Sequence, residues 1–411
     1  MSRSRGTCRF CGAPLAHVFA DLGTSPIANN LLTADELGGM EPFYPLRALV
    51  CDKCFLVQLE EFEAPEAIFS DYAYFSSYST SWLEHCRRYA DMARERFGLS
   101  GKSRVVEVAS NDGYLLQHFA DAGVPALGVE PAANVAAVAR DRGLETIVAF
   151  FGRELARELA AERGPADLVI GNNVLAHVPD LNDFVEGLRM LLAPDGTITM
   201  EFPHLERLVE ERQFDTIYHE HLSYFSLLTV RRLFAVHDLT VFDADELPTH
   251  GGSLRIYACH AGARRVADAV HELEAREERA GFTHVETYLG FGEAVEQEKR
   301  EILESLIGLK NEGTRIAGYG APAKAVTLLS FCGIGTDFID FTVDRNPRKQ
   351  GCFLPGSHIP ILDPGEIERV RPDVVFILPW NLREEIMDQL RFISDWGGRF
   401  LVRTPDLELH A

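Results

Sequence analysis

The segment from 215 to 225, DTIYHEHLSYF, concentrates side chains that can move protons. Tyr218, His219, Glu220 and His221 are consecutive, a density that a hydrophobic core rarely uses because each buried polar group needs a partner. An imidazole has an unperturbed pKa of about 6.5, so it suits a general base near neutral pH. A glutamate can orient such a base, and a phenol can donate a hydrogen bond to an enolate oxygen. The segment therefore predicts abstraction of a proton beside a ketone.

Within this segment we predict that His221 is the general base and that Glu220 positions it or handles its proton. Adjacent residues point apart on a strand and diverge by about 100° on a helix, so Glu220 could instead act through a hydroxyl or amino group of the substrate. Tyr218 and His177, the latter in GNNVLAHVPD, are candidate contacts for the ketone oxygen. His219 is assigned a structural role. The alternative for the whole cluster is a hydrogen-bonded seam between domains.

Four of the eight cysteines form two C-x-x-C pairs near the N-terminus. The pairs are Cys8 with Cys11 and Cys51 with Cys54. Four thiolates at this spacing are typical of a closed tetrahedral Zn²⁺ site, which is structural because no coordination position stays open. Such an ion would hold together about 60 residues that could not form a core alone. Two surface thiol pairs or redox sites are the alternative.

The elements that must position these residues follow an α/β pattern. Strand-like and helix-like stretches alternate from SRVVEVASNDGYLLQHF to GTITMEFP, which predicts a parallel sheet with right-handed crossovers, and GGSLRIYACH is a candidate late strand of the same sheet. Residues 264–312 are predicted to be helical, and a second α/β segment begins at TRIAGYGAPAKAVTLL. We therefore predict an α/β fold with a small zinc-binding domain (1–72), a central Rossmann-like domain (73–262) and a second Rossmann-like domain (263–411).

The turns of the central segment favour an adenosine cofactor. Glu130 ends the second strand, where an acidic residue typically binds ribose hydroxyls. The turn ASND after the first strand is not glycine-rich, which disfavours the pyrophosphate of a dinucleotide and favours S-adenosylmethionine (SAM). A plain turn in a ligand-free domain is the alternative. The predicted cofactor-binding residues are Glu107, Asn111, Gly113, Glu130, Asn172 and Asn173.

Four motifs behind the paired C-x-x-C sequences resemble those of the deoxysugar C-methyltransferases: EVASNDGYLL, GNNVLAHVPDLNDF, DTIYHEHLSYFS and GYGAPAKAVTLL. The resemblance covers essentially the whole chain and is strongest with the C-3 methyltransferases of 4-keto sugars. It implies a central SAM-dependent methyltransferase domain that methylates a carbon of a TDP-linked keto-deoxysugar in antibiotic biosynthesis. The same resemblance points to His221 and Glu220 as the catalytic pair. Methylation at C-5 of a related sugar stays open.

The resemblance also places the stretch DYAYFSSYSTSW (71–82) against the nucleotide sugar. Tyr72 matches an active-site tyrosine of the family. Tyr74, Ser76 and Tyr78 are predicted substrate contacts, because aromatic faces and hydroxyls suit thymine, sugar and phosphates. Packing between the zinc-binding domain and the central sheet is the alternative.

In RIAGYGAPAKAVTLL, Lys324 lies near a strand-to-helix turn that contains Gly318 and Gly320. Backbone amides at a helix N-terminus together with a lysine suit an anion. We predict that Lys324 and Arg348 contact the pyrophosphate of a TDP-sugar, as the resemblance favours. G-x-G-x-x-A is also tolerated by dinucleotide-binding domains, so a nicotinamide-dependent enzyme acting on a nucleotide sugar is one alternative. A non-catalytic module that binds SAM or the sugar nucleotide is another.

Composition limits the class of partner. The net charge of −22 argues against nucleic acid as the main partner, because phosphate backbones need a basic surface. The sequence contains no run of eighteen apolar residues, so we predict no membrane span. The first ten residues, MSRSRGTCRF, lack the apolar segment of a signal peptide. We therefore expect a cytoplasmic protein, either a monomer or a weak homodimer, whose partner is a small molecule.

Overall fold

The computed structural model describes residues 6–64, 77, 80–403 and 406–410, which form three β-sheets. The first is a small antiparallel sheet near the N-terminus, and the other two are mainly parallel sheets with crossover helices. The predicted α/β fold, with a small N-terminal domain and two Rossmann-like domains, is confirmed. In the portion of the chain described here, no helix has the length and apolar character needed to cross a membrane.

The N-terminal sheet contains one strand from the middle of the chain. Its four antiparallel strands follow the order β1-β2-β3-β9: β1 His17–Ser25, β2 Tyr44–Val50, β3 Val57–Leu59 and β9 Ser223–Tyr224. Strand β9 comes directly after the Tyr-His-Glu-His segment, and it pairs Ser223 with Gln58 in β3. The zinc-binding sheet is therefore completed by the chain that carries the predicted base, a pairing that the sequence did not predict.

The central sheet has the order β10-β11-β8-β7-β4-β5-β6. Its strands are β4 Val105–Val108, β5 Ala126–Val129, β6 Glu145–Ile147, β7 Ala166–Asn172, β8 Leu192–Pro203, β10 Leu239–Leu247 and β11 Ser253–His260. Strands β8 to β6 run parallel, and their apolar runs are buried because helices cover both faces of such a sheet. The predicted late strand, β11, belongs to this sheet but lies inside it, between the antiparallel neighbours β10 and β8.

Among the described residues, seven α-helices belong to the part of the chain that forms the central sheet: α1 Thr80–Phe97, α2 Leu116–Asp121, α3 Ala133–Asp141, α4 Arg153–Arg163, α5 Leu181–Leu191, α6 Leu205–Glu210 and α7 Leu227–Ala235. Short 3₁₀ helices at Leu175–His177, Phe214–Thr216 and Thr249–Gly251 lie in the loops that carry polar side chains. The residues that could take part in catalysis or binding therefore lie mainly on the connections, as expected when a rigid sheet supports a binding site.

The third sheet has the order β14-β13-β12-β15-β16-β17 and is parallel except for its last pair. Its strands are β12 Ile316–Tyr319, β13 Thr342–Val343, β14 Ile361–Leu362, β15 Val374–Ile377, β16 Arg399–Arg403 and β17 Leu407–His410. The α-helices of this region are α8 Asp268–Arg279, α9 Val285–Leu289, α10 Phe291–Asn311, α11 Ala323–Cys332, α12 Glu366–Val370 and α13 Arg383–Gln389, with 3₁₀ helices at Trp380–Leu382 and Arg391–Trp396. The first three helices confirm the helical prediction for 264–312.

One hydrophobic core joins the N-terminal sheet to the C-terminal region. Phe19 in β1 stacks on Phe291 in α10, with ring centroids 4.4 Å apart, and both side chains are buried. The same core includes Leu329 of α11 and Phe376 of β15. The small sheet therefore packs against the C-terminal region, and buried apolar surface stabilises this contact.

Candidate active site

A cavity of about 890 Å³ opens where all three parts of the chain meet. Residues at the carboxyl ends of strands in both larger sheets line it, including Asn172 after β7 and Gly320 after β12. Asn29, from the loop after β1, reaches it from the N-terminal part. The volume lies near the upper end of the range of about 300–1,000 Å³ for small-molecule sites.

The imidazole of His221 lines this cavity and is held in one tautomer. Its Nδ1 lies 3.1 Å from the backbone oxygen of Thr216, and since a carbonyl oxygen only accepts hydrogen bonds, Nδ1 carries the proton. Nε2 then keeps its lone pair and accepts a hydrogen bond of 2.8 Å from the hydroxyl of Tyr218. Burial, with a further effect of His177, lowers the pKa of His221 well below its usual value. The ring is therefore neutral near pH 7, with Nε2 as its basic atom.

His177 lies against the same ring. The two imidazole centroids are 4.9 Å apart in an edge-to-face arrangement. Nδ1 of His177 donates to the backbone oxygen of Glu220 at 2.7 Å, so this tautomer is also fixed by the segment that carries the predicted base. Burial lowers the pKa of His177 to about 4. The structure thus brings Tyr218, His177 and His221 together at one wall of the cavity.

Glu220 lies behind that wall: its side chain is buried and does not line the cavity. The amide nitrogen of Asn29 lies 2.9 and 2.8 Å from its two carboxylate oxygens. His219 points elsewhere: its Nε2 lies 3.2 Å from the backbone oxygen of Pro45, and it does not line the cavity. The four consecutive polar residues therefore have different surroundings.

The turns after β4, β5 and β7 form another part of the cavity lining. The carboxylate of Glu130 accepts hydrogen bonds from the backbone nitrogens of Asn111 and Ala132, both at 2.9 Å, which holds the first turn against the second. Asn111 and Asn173 both have positive φ angles, 49° and 53°, a costly backbone conformation that concentrates at functional sites. Asn111, Glu130, Asn172 and Asn173 line the cavity.

The amide of Asn172 tests whether this wall fits SAM. The side chain is buried, and neither its nitrogen nor its oxygen has a hydrogen-bond partner among the described residues. A buried amide without partners costs free energy, so a ligand with donors and acceptors of its own would stabilise it. SAM carries such groups in its methionine, ribose and adenine portions. The donor set at the ends of these strands therefore fits the cofactor.

Glu107 and Gly113 support the first turn from behind the cavity rather than line it. Burial, followed by repulsion from Glu130 and Asp112, raises the pKa of Glu107 well above its usual value. At Gly113 the φ angle is +79°, and a Cβ atom would lie 2.2 Å from the side chain of Leu144. The glycine is therefore needed for close packing of the turn against the chain that leads to β6.

Lys324 forms part of the C-terminal wall. Its Nζ donates to the side-chain oxygen of Asn381 at 2.7 Å and lies 4.2 Å from the ring centroid of Trp380. Burial lowers the pKa of Lys324 to about 8. Lys349 also lines the cavity, whereas Arg348 is exposed and does not. The predicted site residues of the stretch 71–82 lie outside the described residues: Tyr72, Tyr74, Ser76 and Tyr78.

His250 is a residue at the cavity that the sequence did not reveal. It lies in the 3₁₀ helix after β10 with a positive φ of 55°, and its Nε2 lies 3.3 Å from the amide nitrogen of Asn173. Its ring packs 5.0 Å from that of Trp82, and burial lowers its pKa to about 4. The sequence THGG, a histidine before two glycines, was the available signal. Asn29 had no comparable signal.

The four cysteines of the two C-x-x-C pairs form one cluster. Their sulfur atoms all lie within 4.8 Å of one another, with Cys8 3.4 Å from Cys54 and Cys11 3.5 Å from Cys51. Sulfurs on a tetrahedral Zn²⁺ with bonds of about 2.3 Å would be about 3.8 Å apart, so this donor set fits zinc. Gln58 donates to the sulfur of Cys8 at 3.2 Å, the kind of outer hydrogen bond that orients a ligand.

Removal of this zinc is expected to unfold the N-terminal sheet and to abolish turnover. Cys51 and Cys54 lie between β2 and β3, and β3 pairs with β9 directly after His221, so loss of the ion releases the loop that holds the base. We expect a chelator to lower the thermal midpoint in proportion to the zinc released, measured by metal analysis and circular dichroism. Zinc added back should restore both signals. An unchanged midpoint in the metal-free protein would contradict this prediction.

Comparison with known proteins identifies the family. Three family models match in chain order: a zinc binding domain at residues 8–69, a methyltransferase domain at 82–244 and a C-methyltransferase C-terminal domain at 248–405. The chain is 40% identical to C-methyltransferase NovU of Streptomyces niveus over 400 residues, which cover 97% of this chain and 95% of NovU.

Other similarities are partial. A ubiquinone biosynthesis O-methyltransferase of Pseudomonas paraeruginosa is 34% identical over 106 residues, 25% of this chain and 45% of that protein. The magnesium protoporphyrin IX methyltransferase of Synechocystis, solved with bound SAH, has a TM-score of 0.36 and 15% identity, over 44% of this chain and 83% of that one, a likeness too slight to bear on function. The full-length match is the decisive one: the chain belongs to the deoxysugar C-methyltransferase family and is a SAM-dependent C-methyltransferase with an N-terminal zinc-binding domain.

Proposed function

We propose that this enzyme methylates a TDP-linked 4-keto-deoxysugar, at C-3, as part of antibiotic deoxysugar biosynthesis. The observation that carries the proposal is one cavity that is lined by the basic imidazole of His221, by the polar ends of the central strands and by Lys324 and Lys349 of the C-terminal part. Methylation at C-5 of a related sugar is the alternative regiochemistry. Domain limits at 72/73 and 262/263, a cytoplasmic location and a monomeric or weakly dimeric state belong to the same proposal.

The base acts first in this mechanism. Nε2 of His221 takes the proton from the carbon next to the ketone, the C–H bond breaks, and its electron pair delocalises onto the ketone oxygen. Because Nε2 accepts from Tyr218 in the free enzyme, we propose that the substrate displaces this hydroxyl, which then donates to the enolate oxygen. His177 is the alternative donor. SAM, when bound, supplies the methyl group that the enolate carbon attacks, and S-adenosylhomocysteine leaves.

The ligand-binding roles follow from position. Asn111, Glu130, Asn172 and Asn173 are proposed to contact SAM, while Glu107 and Gly113 shape the turn behind them. The sugar nucleotide would then lie between the base and the C-terminal wall. Tyr72 as an active-site residue, and Tyr74, Ser76 and Tyr78 as substrate contacts, remain proposals from the family resemblance.

Lys324 is the proposed contact for the diphosphate. It is a partly buried cation whose hydrogen-bond partner is the neutral side chain of Asn381, and an anion is the ligand that would compensate its charge. Lys349 and Arg345 line the same wall and are better placed than the exposed Arg348 to add charge. The anionic part of the substrate would thus lie against the C-terminal domain.

Lys324→Met is expected to raise KM for the nucleotide sugar by roughly tenfold to a hundredfold while kcat falls little, because a hydrogen bond to a charged group is lost far from the reacting carbon. In the native enzyme the lysine loses its charge as pH rises through about 8 instead of the usual 10.5, so KM should rise between pH 7 and 9. That rise should disappear in Lys324→Met. Steady-state kinetics across this pH range check the prediction, with Lys102→Met at an exposed position as the control. If the two variants behaved alike, Lys324 would not be a contact for the diphosphate.

A nicotinamide-dependent reaction remains the competing function, and local packing disfavours it. The carboxylate of Asp344, at the position where such domains bind ribose, accepts from the backbone nitrogens of Ala321 and Asn346 at 2.8 Å, as Glu130 does in the central domain, so this pattern favours neither cofactor. A Cβ atom on Gly320 would lie 2.5 Å from Pro379, so the protein's own packing accounts for this glycine. Stabilisation by NAD(H) in a thermal-shift assay would favour the competitor.

The deciding experiment is mass spectrometry of a panel of TDP-4-keto-2,6-dideoxy sugars incubated with enzyme and SAM in deuterated buffer. We expect one sugar to gain a single methyl group while S-adenosylhomocysteine forms. In a control without SAM, that sugar should exchange its α-proton for deuterium. No mass change in any sugar, together with protection by NAD(H), would replace the proposal with the redox alternative.

A further inference from the structure

The zinc-binding domain contributes a side chain to the active site. Asn29 lies in the loop that follows β1, and it lines the cavity beside Tyr218 and His221. Within the described chain, the hydrogen bonds of its side chain are the two that its amide nitrogen donates to the carboxylate of Glu220, at 2.9 and 2.8 Å. A residue 191 positions away in sequence therefore holds the acid next to the predicted base.

The backbone surroundings make this contact a fixed one. Strand β1, which precedes Asn29, pairs with β2, and β2 ends next to the zinc ligand Cys51. Strand β3 pairs with β9, which begins two residues after His221, and the backbone nitrogen of Leu59 donates to the oxygen of Leu222 at 3.1 Å. Both partners of the Asn29–Glu220 contact are thus attached to the same sheet, so their separation is set by its register.

We propose that Asn29 is a positioning residue for catalysis, which orients the carboxylate of Glu220 and fixes the loop of Tyr218 and His221 against the zinc-binding domain. Hydrogen bonds from an amide favour the charged form of a carboxylate. The backbone oxygen of Glu220 also accepts from His177, so one residue links the amide of Asn29 to an imidazole of the cavity. The proposal rests on the proposed function of Glu220 and assigns the zinc-binding domain a part in the reaction beyond stabilising the fold.

A double-mutant cycle that exchanges the amide and the carboxylate tests the contact. Asn29→Asp is isosteric and places two carboxylates against each other, so we expect kcat/KM and the rate of α-deuterium exchange without SAM to fall by roughly tenfold to a hundredfold, the range for one hydrogen bond to a charged group. Asn29→Asp with Glu220→Gln restores a donor and an acceptor, so it should recover much of the thermal midpoint lost in Asn29→Asp alone, while turnover stays low because the carboxylate of Glu220 is gone. The exposed neighbour Asn30, as Asn30→Asp, is the matched control and should behave as the native enzyme.

The pH profile distinguishes positioning from mere stability. Asn29→Ala removes two hydrogen bonds to the charged carboxylate, so the acid limb of kcat/KM should move to higher pH, while the Kd for SAM stays within about twofold because the cofactor wall is untouched. Two results would overturn the proposal. One is an unshifted acid limb in Asn29→Ala. The other is a fall in kcat/KM on Asn29→Asp that is as large in the Glu220→Gln variant as in the native enzyme.

The four proteins of the cycle are the native enzyme, Asn29→Asp, Glu220→Gln and the double variant. Together they separate the failure of this inference from the failure of the proposed function. If the native enzyme methylates no sugar of the panel, the proposed function fails, and the thermal midpoints of the cycle still decide whether Asn29 and Glu220 are coupled. If the native enzyme is active and the midpoints are coupled while activity is additive, the contact is structural only and the positioning role is wrong.

Discussion

His221→Ala is expected to lower kcat by about 10²–10⁴-fold, the usual contribution of a positioned general base, with the Kd for SAM unchanged. The physical reason is the fixed tautomer: the backbone oxygen of Thr216 keeps the proton on Nδ1, so Nε2 is the atom able to accept a proton in the cavity. Because burial holds the pKa of this imidazole below 6.5, activity in the native enzyme should persist to more acidic pH than an ordinary histidine allows. Deuterium exchange into the sugar, measured without SAM, checks the step directly.

Two companion variants sharpen this prediction. Glu220→Ala should also lose turnover and keep SAM binding, since Asn29 fixes its carboxylate in the loop that carries the base. His219→Gln should retain turnover with a lower thermal midpoint, because His219 contacts the backbone oxygen of Pro45 and does not line the cavity. Full activity in both His221→Ala and Glu220→Ala would disprove the mechanism. A loss in His219→Gln as large as that in His221→Ala would show that the loop, and not one imidazole, determines the effect.

Arg403→Met is expected to lower the free energy of unfolding by about 3–5 kcal/mol, the cost of leaving buried charges without a partner. Arg403, at the end of β16, is 1% exposed, and its guanidinium lies 2.7 Å from Asp215 and 2.5 Å from Glu298. Asp215 begins the segment 215–225, which carries the predicted base, and also accepts from the indole of Trp380 at 2.7 Å. The substitution should therefore reduce turnover as well as stability.

Denaturant unfolding and kinetics of the same samples check this prediction. Arg399→Met, in the same strand and partly exposed, is the control and should change the free energy of unfolding by less than about 0.5 kcal/mol. Adding Asp215→Asn and Glu298→Gln to Arg403→Met should recover stability, because the buried charges disappear together. If Arg403→Met alone is as stable as the native protein, the buried ion pairs contribute nothing and the prediction is wrong.

Local patterns were sufficient for much of the architecture. The two C-x-x-C pairs predicted a zinc site, and the structure brings their four sulfur atoms together. Strand–turn–helix alternation predicted two mainly parallel sheets, because the apolar run of a buried strand is encoded within a few residues. The helical prediction for 264–312 held for the same reason, since helix formation depends on neighbours three or four residues away.

Contacts between distant segments could not be predicted in this way. The pairing of β9 with β3 and the position of β11 inside the central sheet depend on which edges meet after folding, and two residues of strand carry no signal of their partner. The exposure of Arg348 and the presence of Lys349 at the cavity likewise depend on how one turn leaves β13.

The chemistry of the site likewise depends partly on the sequence and partly on the fold. The sequence by itself determined the kinds of groups available, because Tyr218, His177, Glu220 and His221 carry their chemistry in their side chains. Only the tertiary structure decided how they are used: which nitrogen of His221 is basic depends on the backbone oxygen of Thr216, and the surroundings of Glu220 depend on Asn29. Side-chain type is a local property of the chain, whereas tautomer, burial and hydrogen-bond partner are set by atoms that the fold brings from elsewhere.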